Sequence, residues 1–169
     1  SLIEENNQYN GSSFKYIIDY TFFRPRDLIL FFKPLRASAF NIPLSYYNSK
    51  NLLNKYVEEL VLEIKNELSA SFSQTDINKI FLTLKEYQNY QPLSKDELIN
   101  GLERQNLDYD PKIAIVHLFD YSLIGNIDES SSTPKIYFKH REKLNDPCII
   151  NFELNFIYHK SMEIYLNKK

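Results

Sequence analysis

Between Leu52 and Leu68, apolar residues recur every three or four positions: Leu52, Leu53, Tyr56, Val57, Leu60, Val61, Ile64 and Leu68. That period places them on one wide face of a helix from about Ser49 to Ser69, with Glu58, Glu59, Glu63, Lys65 and Asn66 covering much of the rest. The stripe is core architecture. Ile77, Ile80, Phe81 and Leu84 predict a second helix over 75–87. Ser94 with Glu97 three residues on is a capping-box signature for another over 94–104. Asp110-Pro111 opens one more, carried by Ile113, Ala114, Val116, Leu118, Phe119 and Leu123 and stopping at Gly125. Alternation over Lys135–His140 then predicts a strand, and the apolar run 148–157 its antiparallel partner, with the polar tip Arg141–Pro147 between them. His159 to Leu166 reads as a last short helix.

Upstream, residues 1–13 are a polar lead-in, and Phe14 to Tyr20 is either an extended segment or the end of a helix. A helix opens near Pro25 and runs to about Phe40, with Pro34 either kinking it or separating two helices, since proline removes a helical donor and clashes with the preceding turn. The expected fold is therefore mainly α: a helical lobe over 1–72, then a lobe over 73–169 whose helices and two-stranded β-hairpin follow the order of a winged helix.

Composition narrows the classes. The 169 residues are 43% hydrophobic and 25% charged, ordinary for a globular chain, and only three glycines argue for long elements over many tight turns. A net charge of −2 gives no global positive field to attract nucleic acid. One cysteine, Cys148, excludes an internal disulfide and fits a reducing compartment; between Pro147 and Ile149 it reads as a buried structural thiol in a strand. No apolar run approaches the roughly 20 residues of a membrane span, and Ser1-Leu2-Ile3-Glu4-Glu5 lacks a basic signal-peptide start. The expected location is the cytoplasm, without membrane contact. The chain opens on Ser1, which processing, a chosen boundary or excision from a longer polypeptide would each give, and excision is the favoured expectation.

Catalytic chemistry is thin. His117, His140 and His159 fall in three different elements, and Gly11, Gly101 and Gly125 are too scattered for a phosphate loop. Neither a catalytic residue nor a metal ligand is expected. The wing gathers Lys135, Lys139, His140, Arg141 and Lys143 within nine residues, enough for a few phosphate contacts; its plain reading is a solvated tip interspersed with Glu142 and Asp146. The helix before it, Lys112 to Tyr121, is too apolar to read base edges.

The outlier is Arg24-Pro25-Arg26-Asp27. Pro25 suits the first helical turn, but cations at a helix N-terminus oppose the macrodipole. Two readings stand: an Arg–Asp network fixing the helix start, or an arginine delivered to a phosphate of another domain, a task suited to the planar, permanently charged guanidinium.

Asp19-x-Thr21-Phe22-Phe23-Arg24-Pro25-Arg26-Asp27-Leu28-Ile29-x-Phe31 resembles the segment after the nucleotide-binding core in a group of bacterial P-loop ATPases of the AAA/STAND-like class with an RPRD motif. The ending Phe156 to Leu166 is similar to their closing segment, with Lys160 where they carry a proline. The resemblance implies a lid lobe followed by a winged-helix lobe, with Arg26 at the sensor-2 position and Arg24 as its helper or structural partner. It implies a non-catalytic regulatory region that couples nucleotide state to lid position. Its partner is an upstream P-loop NTPase core in the same polypeptide, and only that core brings ATP and magnesium. The alternatives are a winged-helix nucleic-acid-binding module using the wing cations on DNA, and a protein-interaction domain whose excess Tyr and Phe form a docking patch for a partner protein.

Overall fold

A computed structural model describes residues 13–36, 44–143 and 145–168. They are mostly helical, with a small three-stranded antiparallel sheet. The chain divides into two compact units, residues 1–63 and 64–169, and the boundary falls inside one helix. Among the described residues no helix is long and apolar enough to cross a membrane.

In the first unit, α1 (Ser13–Ile18) leads through a turn into α2 (Pro25–Phe32), and a 3-10 turn follows at Lys33–Arg36. The helix expected to reach Phe40 thus ends at Phe32, because Pro34 cannot donate to the ladder; residues 37–40 lie outside the described ones. α3 (Tyr46–Leu68) follows and crosses the unit boundary. Its stripe is buried as its period requires, with Leu52, Leu53, Tyr56, Val57 and Leu60 inside. Phe31 of α2 lies with its ring centroid 5.9 Å from that of Tyr56.

The second unit holds α4 (Gln74–Glu86), α5 (Lys95–Arg104), α6 (Pro111–Asp120), β1 (Ile124–Asp128), β2 (Lys135–Tyr137), β3 (Asn155–Tyr158) and α7 (Lys160–Leu166). Caps start the helices where polar residues allow. Ser73 accepts from Asp76 N–H, the Ser94–Glu97 box is complete in both directions, and Asp110 accepts from Lys112 N–H. Ile77, Ile80, Leu84, Leu98, Leu102, Ile115, Leu118, Ile124, Phe156 and Met162 are buried.

The sheet differs from the expected hairpin. Its order is β2-β1-β3, so the two expected strands both pair with β1 and not with each other. Gly125, expected as a helix stop, lies inside β1. α6 ends earlier, where Ser122 turns into the left-handed region at φ 57°. Gly125 is required by close approach: a Cβ there would lie 2.5 Å from the Tyr137 carbonyl oxygen and 2.6 Å from the Phe138 ring. The expected strand 148–157 shortens to β3, because the buried Asn126 amide ties down the preceding segment. It donates to the Asn151 carbonyl at 2.8 Å and accepts from the Asn151 N–H at 2.8 Å. Cys148 is consequently half-buried and outside any strand, and burial pushes its thiol pKa up, away from thiolate chemistry. On its far side β3 makes a single antiparallel bridge, Leu93 to Phe156.

Candidate functional site

The RPRD turn is organised by Asp27, whose side chain is fully buried at the third position of α2. One carboxylate oxygen accepts the backbone N–H groups of Phe22 at 2.8 Å and Arg24 at 3.3 Å. The other accepts Nε and Nη2 of Arg24 at 3.1 and 2.9 Å. This anion answers the helix N-terminus from within. It also holds a turn in which Phe23, at φ 57°, occupies the left-handed region that costs a bulky residue roughly 1–2 kcal/mol.

The two arginines divide. Arg24 turns inward onto Asp27, with its guanidinium 5.4 Å from the centre of the Phe22 ring. Arg26 turns outward, its side chain 50% exposed, and meets Glu63 of α3 at 3.1 Å. Tyr56 is buried beside this group, and its hydroxyl has no hydrogen-bond partner among the described residues. Burial, with the added field of Asp27, holds the Tyr56 pKa above the ordinary phenol value. The spacing of Arg24 and Asp27 announced the network in the sequence; Tyr56 and Glu63 gave no such signal, because their part depends on α2 meeting α3.

In the second unit the five candidate cations do not act as one cluster. Lys135 begins β2 and is exposed; Arg141 and Lys143 are exposed as well. Lys139 is engaged by Glu142 and by the Cys148 carbonyl, and the Glu142 hydrogen bond holds its ammonium pKa above the ordinary value. His140 packs inward: its backbone N–H donates to Ser122 Oγ at 2.8 Å, and its ring lies against Phe138 and His159. Asp128, Glu142 and Asp146 share the surface with the three exposed cations. Lys112 and Ile113 are exposed on α6, while Ala114, Ile115, Leu118 and Phe119 are buried.

Beside β2 runs a groove of about 520 Å³, bordered by Ile136, Tyr137, Arg141, Cys148 and Ile149, with Asn126 and Asn151 also lining it. Ile149 is 74% exposed, and Ile136 and Tyr137 are exposed across from it. Among the described residues no group of three or more His, Cys, Asp or Glu is placed to hold a metal ion. Comparison with protein-family models, curated proteins and solved structures finds no match to this chain.

Proposed function

We propose that this chain is a non-catalytic regulatory region that works with a P-loop ATPase core, Arg26 reporting nucleotide state and the second unit acting as a winged helix. The division of the two arginines carries the reading. Asp27 takes Arg24 and satisfies the start of α2, so Arg24 serves structure while the half-exposed Arg26 guanidinium is held by the Glu63 carboxylate, a contact that a phosphate can replace. The order α4, Leu93 bridge, α5, α6, β1, β3, with a long connection carrying β2 between the last two, supports the winged-helix part.

The test is Arg26→Ala in the polypeptide that carries the core. Losing one charge-assisted contact to phosphate is expected to change nucleotide affinity or ATP turnover about tenfold or more. Unchanged affinity and turnover refute the role. The mass of the native polypeptide is the simpler check: a species of 20.1 kDa leaves Arg26 without a core in cis.

The exposed Ile136, Tyr137 and Ile149 around the groove favour a second reading, a protein-docking surface. Loss of partner binding on replacing Ile149 would support it. The nucleic-acid reading retains three exposed cations of its five, Lys135, Arg141 and Lys143.

A further inference from the structure

His159 is 1% exposed, and it caps α7 through a neutral imidazole: Nδ1 accepts the Ser161 N–H at 3.2 Å. Its backbone N–H donates to the Leu123 carbonyl at 3.0 Å, which anchors it at the entry to β1. Its ring meets that of Phe138 edge-on at 5.2 Å and that of His140 at 5.1 Å. Phe138 and His140 belong to the segment that runs from β2 into the 3-10 turn Lys139–Arg141, which also forms one wall of the groove. Two further contacts seat this segment: the Phe138 ring lies over Gly125, and His140 N–H reaches Ser122.

A proton on His159 would upset all of this. Protonated Nδ1 becomes a donor facing the Ser161 donor, so the cap is lost. The charge would be buried beside two cations and a second imidazole. His140 and Arg141 face it from the 3-10 turn and Lys160 from α7; Glu163, in the same first turn, is itself held toward its neutral form by burial. α6 contributes Asp120, whose field reaches Lys139. Burial first, then the fields of His140, Arg141 and Lys160, keep His159 neutral well below its ordinary pKa.

We propose that His159 is a proton-operated clasp: in its neutral form it holds the Tyr137–Arg141 segment against β3 and α7, and proton uptake in mild acid releases that segment and remodels the groove. The closed form binds the proton more weakly than the open form, whose pKa is the ordinary value of about 6.5. The clasp is therefore complete above pH 6.5 and weakens as pH falls below it. Linkage makes the opening constant rise from pH 7 to pH 5, up to a limit of about 25-fold set by titration of the open form.

The experiment is amide hydrogen exchange on the chain at pH 7 and pH 5, corrected for intrinsic rates, with α5 amides as internal reference. Protection over Tyr137–Arg141 is expected to fall relative to α5, by up to about 25-fold. His159→Asn retains a capping oxygen that does not titrate, and is expected to abolish the dependence. A flat wild-type profile, or an undiminished dependence in H159N, overturns the proposal. Nitrogen-15 shifts of the wild-type imidazoles need no variant: an unprotonated Nδ1 on His159 at pH 6 supports the clasp, and a charged ring at that pH overturns it.

Discussion

Asp27→Asn isolates the chemistry of the RPRD turn from its shape. The amide is isosteric, so packing is preserved and only donors and acceptors change. In the native turn both carboxylate oxygens accept, one from two backbone N–H groups and the other from the Arg24 guanidinium. An asparagine NH₂ must face one of these donor pairs whichever way it is turned. Placed toward the guanidinium, it breaks a part-buried charge-assisted pair; placed toward the backbone, it strands the Phe22 N–H and the Arg24 N–H. The charge left behind is that of Arg24, whose side chain is 33% exposed and reaches water, so the cost is that of the lost bonds or of the stranded donors, about 1–3 kcal/mol. We therefore expect a loss of about 1–3 kcal/mol, appreciable against the 5–15 kcal/mol typical of a whole domain. Urea unfolding followed by far-ultraviolet circular dichroism measures it, and hydrogen exchange at Phe22 and Arg24 localises it. Arg26→Ala is the companion, expected to cost no more than about 1 kcal/mol because the Arg26 side chain is 50% exposed and Glu63 reaches water as well. A cost below 1 kcal/mol for Asp27→Asn, or a larger cost for Arg26→Ala, would refute the assignment of Arg24 to structure and Arg26 to the surface.

Three further outcomes follow from the second unit. Gly125→Ala forces a methyl against the Tyr137 carbonyl and the Phe138 ring, and is expected to destabilise by about 1–3 kcal/mol or more and loosen β2; thermal unfolding checks this. Asn126→Ala removes both part-buried bonds to the backbone of the exposed Asn151, at about 1–3 kcal/mol for the two, with faster exchange at Asn151 as the local readout. Glu97 is held below its ordinary carboxyl pKa by Ser94, so its contribution is present above about pH 4.5 and fades as pH falls through and below that value; in Glu97→Gln this part of the acid dependence should vanish from pH-resolved unfolding.

Local code was sufficient for most helices. The Leu52–Leu68 stripe, the Ser94–Glu97 box and Asp110-Pro111 each act within a few residues, and α3, α5 and α6 begin or bury as those signals require. The Arg24–Asp27 network also lay within one turn, which is why an Arg–Asp reading of the motif was open from spacing alone. β1 was hidden because it is short and follows α6 almost directly, with Gly125 carrying the signature of a helix stop. Only β2 approaching within van der Waals distance shows why that position excludes a side chain.

The amino-acid sequence by itself determined the helical class, the caps, and the presence of two arginines at the start of α2. Tertiary structure decided what those side chains face. Glu63 lies 37 positions from Arg26 in the chain, and His159 lies 19 from His140; each pair meets only because packed elements close the intervening loop. Such encounters leave no periodic trace in sequence, since their energy comes from burial and geometry shared between elements and not from any one of them.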